Sequence, residues 1–264
     1  MPPQVRLPPF SVVIPAFNEA SRLGETLGLT AEYLAAVAPE SELIVVNDGS
    51  TDETSRVVRE VLARAKVATQ LLENFPNRGK GAAVRRGLLA AKRPIGLFFD
   101  ADLSTPLEET PKVVEPIANE EVDIAFGSRA LNRRLIGNRQ PWRREQAGRV
   151  FNLIVRLATG LPFWDTQCGF KAFRLDVCRP ILEAAQLQGF AFDVELLYLA
   201  QRQGLRLREI PVRWNHQEGS KVHFIHDSLR MLREIVALRA SANAGASDRQ
   251  VGTDLPGSCR IRRD

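Results

Sequence analysis

The chain has 264 residues, 44% of them hydrophobic, which suits one large α/β domain or two small ones. Its longest apolar runs, such as residues 43–46, are far shorter than the roughly 20 residues that a membrane-spanning helix needs. No basic-then-apolar signal begins the chain, and its three cysteines lack metal-ligand spacing. We therefore expect reduced thiols and a cytoplasmic protein, with peripheral contact at the inner face of a membrane as an option.

The net charge of +5 is unevenly distributed along the chain. Between Arg129 and Arg149 there are seven arginines and one acidic residue, Glu145. A solvated helix face usually mixes both signs of charge, whereas an arginine run favours the phosphates of nucleotides or lipids. Aromatic residues do not alternate with these arginines, which disfavours nucleic acid. The basic segment 129–149 thus predicts phosphate contact without a nucleic-acid partner.

The first half of the chain alternates between strand and helix patterns. Strands are predicted over residues 10–14, 43–46, 67–72, 95–99 and 122–126. Helices are predicted from residue 18 onward, from residue 53 to about 66, from about 81 to 92, and over 106–119. This alternation predicts βαβ units, and therefore an α/β fold with a mostly parallel central sheet and helices on both faces.

The second half is less regular. Short helices are predicted over residues 150–158 and from about residue 195, and an edge strand is predicted over 207–212. Residues 224–240 form an amphipathic helix, which either packs on the core or lies on a membrane surface. We expect residues 1–9 to be loose, residues 10–240 to form one domain, and residues 241–264 to be disordered.

The most informative stretch is residues 97–106, where an apolar strand ends in Asp100 and Asp102. At the carboxyl edge of a parallel sheet, where ligands bind, both side chains can point into one crevice. Two carboxylates suit Mg²⁺ or Mn²⁺ shared with substrate phosphates. A capping loop with Ser104 or Thr105 as N-cap is the alternative. The turn from Pro15 to Glu19 and the loop at Asp48 should share this edge.

Six motifs in this order resemble family 2 glycosyltransferases of the GT-A fold. Residues 11–19 resemble the opening strand of that family, residues 45–52 its nucleotide-base loop, and Asp100-Ala101-Asp102 its metal-binding motif. Residues 165–171, 190–197 and 218–221 more narrowly resemble the enzymes that glucosylate dolichyl phosphate. The eukaryotic members carry an N-terminal membrane helix, and no such helix is evident in this sequence.

The resemblance implies a donor site for a UDP-sugar. Asp100 and Asp102 would hold Mg²⁺ or Mn²⁺ on the diphosphate. The metal would stabilise charge on the leaving group, which makes Asp102 a catalytic residue. The other residues implied for the nucleotide-sugar are Pro15, Ala16, Glu19, Asp48, Lys80 and Lys221. Within this set, Asp48 can accept a hydrogen bond from a uracil N–H, and turn or cap roles are the alternatives for these corners.

The acceptor decides whether the reaction needs a base. A hydroxyl acceptor must lose a proton, whereas a polyprenyl phosphate, with a second pKa of about 6, is already largely dianionic near pH 7. The arginine-rich segment favours the phosphate, and Arg129 is our first candidate for its contact. Asp165 is the candidate carboxylate, either as base or as organiser of the nearby cations. The membrane surface would be met through segment 129–149 or helix 224–240.

The resemblance therefore implies an inverting, metal-assisted transfer of a hexose, with glucose favoured, from a UDP-sugar to a polyprenyl phosphate. A GDP-mannose donor or a non-lipid hydroxyl acceptor remains open. Residues 98–102 also resemble the strand end of haloacid-dehalogenase phosphatases, but those enzymes place the nucleophile on their first strand. A binding protein that kept the fold without turnover is a further alternative.

Overall fold

The structure is a computed structural model that describes residues 6–137, 142–217 and 230–238. The described strands are β1 (Phe10–Ala16), β2 (Glu42–Asp48), β3 (Ala68–Asn74), β4 (Ile95–Phe99), β5 (Ile124–Ser128), β6 (Phe170–Arg174) and β7 (Leu207–Pro211). The helices are α1 (Leu23–Val37), α2 (Thr54–Leu62), α3 (Lys80–Ala90), α4 (Thr110–Ala118), α5 (Trp142–Thr159), α6 (Leu175–Ala184), α7 (Phe192–Arg202) and α8 (residues 230–238). Short 3-10 helices cover Leu107–Glu109 and Arg133–Leu135.

The described strands form one sheet in the order β3-β2-β1-β4-β6-β5-β7. Neighbouring strands are parallel except at β6, which runs antiparallel to both β4 and β5. The mostly parallel sheet predicted from the sequence is therefore confirmed. The β6 strand was not predicted.

The sheet separates two apolar layers. Successive side chains of β1, such as Val12 and Val13, enter opposite layers. The first layer packs against α1, α2 and α4, and the second against α3, α5, α6, α7 and α8. Because the central strands are covered on both faces, they are nearly continuous runs of apolar residues. The two described cysteines, Cys168 and Cys178, are free and buried, as expected of thiols.

The first helix begins later than predicted, at Leu23 instead of Asn18. Asn18 has φ = +54°, a left-handed conformation that a helix interior cannot contain. Its backbone N–H donates to Ser50 Oγ at 2.9 Å, and its side chain accepts from the Thr51 N–H at 2.8 Å. These bonds tie the turn after β1 to the loop after β2.

Three other expectations differ from or gain detail in the structure. Helix α5 begins at Trp142 and so includes part of the basic segment, not only residues 150–158. Helix α8 packs on the core through Met231 and Ile235, which supports the core-packing prediction for its described part. Leu7 is buried and its N–H donates to the Val37 carbonyl at 2.8 Å, so this part of segment 1–9 is anchored.

Several predictions fall on residues that the structure does not describe. Lys221, the start of helix 224–240 and the tail 241–264 all lie outside the described residues, as do residues 138–141 of the basic segment. Their roles stay predictions.

Candidate active site

The carboxyl ends of β1, β2 and β4 lie side by side at one edge of the sheet. Pro15 and Ala16 pair with residues 46 and 47 of β2, and Val13 pairs with residue 98 of β4. The turn at Pro15 to Glu19, the loop after Asp48 and the Asp100 to Asp102 segment therefore share this edge. The structure brings together the corners that the sequence analysis assigned to a nucleotide-sugar.

Glu19 fastens the turn after β1. Its carboxylate accepts from the Arg22 guanidinium, with Nη2 to Oε1 at 2.9 Å, and its backbone N–H donates to Thr54 Oγ1. The hydrogen bond that Arg22 donates to Glu19 raises the pKa of Arg22, and the charges of Asp102 and Asp100 contribute to the same rise. Arg22, which the sequence analysis did not single out, thus adds positive charge beside the two aspartates.

The Asp48 carboxylate is buried and holds the loop before α3. Its oxygens accept from Asn74 Nδ2 at 2.6 Å and from the backbone N–H groups of Arg78 and Gly79 at 3.1 and 2.7 Å. A carboxylate offers about four acceptor positions, so at most one remains for a nucleotide base. In the structure Asp48 mainly shapes the loop, and its contact with uracil stays a prediction.

Asp100 and Asp102 both lie close enough to Arg22 and Lys80 for their charges to raise the pKa of each. The residue between them, Ala101, is buried, and its carbonyl accepts from Thr26 Oγ1 at 2.7 Å. The side chains of Asp100 and Asp102 are half-buried, and Asp102 Oδ1 also accepts from the Ser104 N–H at 2.9 Å. Helix α1 therefore anchors the loop that carries the two carboxylates.

Lys80 lies at the first position of α3 and pairs with Asp100, with Nζ 2.6 Å from Oδ1. Burial lowers the pKa of Lys80, but the charges of Asp100, Asp193 and Asp102 and the hydrogen bond to Asp100 together outweigh this effect, so the net pKa is raised. The side chain therefore remains an ammonium, able to contact a phosphate bound beside Asp100.

The aspartate pair fits a divalent cation that a diphosphate would also ligate. Gly169 lies directly against Asp100, and a Cβ at this position would overlap the carboxylate. Among the described residues, no group of three or more acidic, histidine or cysteine side chains could hold a metal by itself. Mg²⁺ is ordinarily bound by one or two carboxylates with substrate phosphates and water, so two aspartates are a sufficient protein contribution.

A buried ion pair lies beneath Lys80. Lys171 on β6 is fully buried, and its Nζ is 2.6 Å from both Asp193 Oδ1 and the Cys168 carbonyl oxygen. Burial raises the pKa of Asp193, while the charges of Lys171 and Lys80 oppose the rise. Lys80, Asp100, Lys171 and Asp193 thus form one cluster of alternating charge.

The start of α3 is fixed by the loop before α7. The Gln188 carbonyl accepts from the N–H groups of Gly81 and Ala82, at 2.7 and 3.3 Å. Glu195 holds that loop by accepting from the N–H groups of Gln186 and Leu187. These contacts satisfy N–H groups that a helix start leaves without intrahelical partners, and they fix the position of Lys80.

Arg129 and Asp165 form a bidentate ion pair, and the charge of Asp100 also acts on Arg129. Asp165 Oδ2 accepts from Nε and the backbone N–H of Arg129 at 2.7 and 2.9 Å, and Oδ1 accepts from Nη2 at 2.8 Å. Burial raises the pKa of Asp165, but Arg129 outweighs it and the net pKa is lowered. Asp165 is 2% exposed, so of the two predicted roles the structure favours organiser over base.

Arg129 itself remains accessible, with 31% of its side chain exposed. Its guanidinium lies over the Trp214 ring, 5.6 Å from the centroid. Glu209 on β7 stabilises the other side of this unit by accepting from Ser128 Oγ and from the backbone N–H groups of Trp164 and Asp165. These contacts orient an arginine that lies close enough to Asp100 for the charge of that carboxylate to raise its pKa.

No role in the site was predicted from the sequence for Lys171, Asp193, Gly169 or Glu209. The first three lie within or beside motifs that carried the family resemblance, so their place in those motifs was a usable signal. A charged residue inside an apolar strand pattern, as at Lys171, indicates a buried partner. Glu209 had no signal of this kind.

Comparison with known proteins gives the same assignment. The profile of glycosyl transferase family 2 matches residues 11–182. The chain belongs to glycosyl transferase family 2. It is therefore a glycosyltransferase by family, and neither the match nor the position of Asp100 directly after the fourth strand supports the phosphatase alternative.

Two curated family members illustrate the similarity. The dolichyl-phosphate beta-glucosyltransferase of Dictyostelium discoideum is 32% identical over 240 residues, covering 87% of this chain and 73% of that protein. The enzyme of the same name from Drosophila melanogaster is 36% identical over 248 residues, covering 89% and 76%. The similarity thus extends across most of both chains.

The fold is also shared with solved glycosyltransferases. The glucosyl-3-phosphoglycerate synthase of Mycobacterium tuberculosis, solved with Mn²⁺, UDP-glucose and phosphoglyceric acid, superposes with a TM-score of 0.64 at 21% identity. The superposition covers 88% of this chain and 79% of that protein. This similarity confirms the GT-A fold. Separately, the described helices include none long and apolar enough to cross a bilayer.

Proposed function

We propose that this glycosyltransferase, a single domain spanning residues 10–240, moves glucose from UDP-glucose to a polyprenyl phosphate such as dolichyl phosphate. The observation that carries the proposal is that two cations lie close to the Asp100–Asp102 pair. Lys80 Nζ is 2.6 Å from Asp100 Oδ1, and the charge of Asp100 raises the pKa of Arg129. Lys80 would serve the donor diphosphate, and Arg129 an acceptor phosphate. The names of the curated relatives support the same donor sugar and acceptor.

The donor half of the reaction uses the edge formed by β1, β2 and β4. Pro15, Ala16, Glu19 and Asp48 would border the base and ribose, and Lys80 and Lys221 the diphosphate. Asp100 and Asp102 would hold Mg²⁺ or Mn²⁺. Such a cation, when bound, neutralises charge that develops on the departing diphosphate. Lys80 adds a second positive charge to the same leaving group.

The acceptor half needs a positioned phosphate more than a base. Arg129 would bind the polyprenyl phosphate through the part of its guanidinium that Asp165 leaves exposed. One acceptor oxygen attacks the anomeric carbon, the bond from that carbon to the UDP oxygen breaks, and its electron pair leaves with UDP. Attack opposite the leaving group inverts an α-linked donor to a β-linked product. Because Asp165 is buried and bound to Arg129, it neither takes up nor releases a proton in the proposed reaction.

The proposal is tested with radiolabelled UDP-glucose, UDP-galactose and GDP-mannose, each with Mn²⁺ or Mg²⁺ and with or without polyprenyl phosphate. We expect label in an organic extract only with UDP-glucose and the lipid phosphate. Transfer from GDP-mannose would correct the donor, and a water-soluble glycoside would correct the acceptor. Labelled donor that binds without any transfer would favour a binding protein and reject the enzyme.

Asp102→Asn isolates the metal role, because an asparagine oxygen can still accept from the Ser104 N–H and keep the loop. We expect transfer to fall about 10²–10³-fold, since a metal supplies several kcal/mol and each ~1.4 kcal/mol is tenfold. Mn²⁺-dependent binding of UDP, measured by calorimetry, should weaken in parallel. Asp176→Asn on the exposed start of α6 is the matched control. Unchanged transfer by Asp102→Asn would exclude the assigned role.

A further inference from the structure

Helix α5 presents an apolar stripe to solvent. Four of its apolar side chains are exposed by 40% to 73%: Val150, Leu153, Ile154 and Leu157. Their spacing of three, one and three residues places them on one side of a helix with 3.6 residues per turn. We call these four residues, together with the exposed Trp164, the α5 stripe.

The stripe is not the side of α5 that packs on the protein. Phe151 and Val155 are buried and attach the helix to the core. The stripe lies beside them on the helix and contacts solvent in this structure. Single exposed apolar residues are common on proteins, but a contiguous exposed group marks a surface for association.

The charged residues on the segment that carries the stripe are basic. From residue 146 to residue 164 the sequence has two arginines, Arg149 and Arg156, and no acidic residue. These arginines are seven positions apart, so they lie on the same side of α5, next to the stripe. The Arg156 guanidinium stacks on the Trp164 ring at 4.0 Å from its centroid. An apolar face bordered by arginines and an exposed tryptophan suits the boundary between anionic headgroups and acyl chains.

The stripe is directly connected to the proposed acceptor site. Trp164 precedes Asp165, which binds Arg129, and Glu209 accepts from the N–H groups of both Trp164 and Asp165 at 2.9 and 2.7 Å. A surface that binds at the stripe is therefore held beside the arginine that would receive a phosphate.

We propose that the α5 stripe docks this protein on an anionic lipid bilayer. A bilayer is favoured over a protein partner because the apolar residues, the flanking arginines and the tryptophan together match the layered chemistry of a membrane surface. The delivery of a lipid phosphate to Arg129 rests on the proposed function, whereas the docking does not. The assignment replaces the earlier alternatives, segment 129–149 or helix 224–240, with one helix face.

The test measures binding to vesicles by flotation. Wild-type protein is mixed with phosphatidylcholine vesicles that contain about 30% phosphatidylserine, an anionic lipid. The double variant Leu153→Gln/Leu157→Gln removes two stripe residues without touching Phe151 or Val155. Leu29→Gln on α1 is the matched control, since Leu29 is 47% exposed on another helix. Val236→Gln, at an exposed position of α8, tests the competing surface.

We expect the double variant to bind vesicles at least tenfold more weakly, with Leu29→Gln and Val236→Gln close to wild type. Binding should also fall when the vesicles are purely zwitterionic. Equal flotation of wild type and double variant would overturn the proposal. So would loss of binding in Val236→Gln alone, or gel filtration that shows the stripe to be an interface between two copies.

Transfer assays separate this proposal from the proposed function. With a short, water-soluble polyprenyl phosphate, the double variant should match wild type, and with acceptor embedded in vesicles it should be slower. Stripe-dependent vesicle binding without transfer to any polyprenyl phosphate would reject the proposed function and leave the docking surface in place. An equal loss of transfer with both acceptors would show that the double variant is defective in catalysis or folding, and this result would overturn the docking role.

Discussion

The ion pair between Lys171 and Asp193 offers a sharp test of how this site is built. Both side chains are almost completely excluded from solvent, at 0% and 4% exposure, and the two atoms of the pair are 2.6 Å apart. Three variants complete a double-mutant cycle: Lys171→Met, Asp193→Asn and the combination. Each single change leaves one polar group buried without its charged partner, whereas the double change leaves neither charge.

The expected magnitudes follow from burial. Removing one member of a buried ion pair destabilises a protein by about 3–5 kcal/mol. We place Asp193→Asn at about 4 kcal/mol, because the buried Lys171 ammonium then has only neutral partners, the Cys168 carbonyl and the new amide. Lys171→Met should be milder, at about 3 kcal/mol, because burial already raises the pKa of Asp193 and favours its neutral form. The double variant should be less destabilised than the sum by about 2–3 kcal/mol.

Urea unfolding followed by circular dichroism measures these differences. With a slope of about 3 kcal/mol per molar, Asp193→Asn should lower the urea midpoint by roughly 1.3 M. The same cycle at the exposed pair Arg56 and Glu60, both more than half exposed, should give an interaction of only about 0.3–0.5 kcal/mol. Additivity at Lys171 and Asp193 to within about 0.5 kcal/mol would refute the reasoning, since independent sites add that closely.

Two further predictions concern the metal loop and acid stability. Gly169→Ala should reduce kcat/KM about 10²-fold and weaken Mn²⁺-dependent UDP binding, because its Cβ displaces the Asp100 carboxylate. Its melting temperature should stay close to that of Gly148→Ala, whose Cβ meets nothing within 4 Å, and equal activity of the two variants would contradict the prediction. The hydrogen bonds from Arg206 lower the pKa of Asp123 in the folded protein. The Asp123 carboxylate therefore stabilises the fold fully above its unfolded pKa of about 3.9, and this stabilisation is lost as the pH falls through the folded pKa. Asp123→Asn should be less stable than wild type by about 2 kcal/mol at pH 7, with the difference shrinking toward pH 3 in urea titrations; a constant difference would exclude this account.

The parallel half of the fold could be predicted because its signals are local. Each central strand is an apolar run followed at once by polar turn residues, and β4 spans residues 95–99 as predicted. The common direction of parallel strands then placed Asp48, Asp100 and Asp102 at one edge without further information. These features follow from sequence order alone.

The second half was harder to predict because its structure depends on contacts distant in sequence. The β6 strand contains Lys171, which interrupts the apolar pattern and is compatible with burial only through Asp193, 22 residues later. The role of Asp165 was open for the same reason, since its partner Arg129 lies 36 residues away. Long-range charge pairs of this kind leave no periodic signal in the sequence.

The reversed direction of β6 has a consequence for how this enzyme tolerates change. Phe170 pairs with Phe99, so the start of β6, not its end, meets the residues that follow β4. Extra residues in the loop at Gly160, where an added Cβ would meet nothing within 4 Å, can bulge into solvent. A single insertion within β6 would instead shift its pairing by one position and exchange the two faces of the strand. Lys171 would then leave its interior partner, so length variation in this region should be confined to the loop.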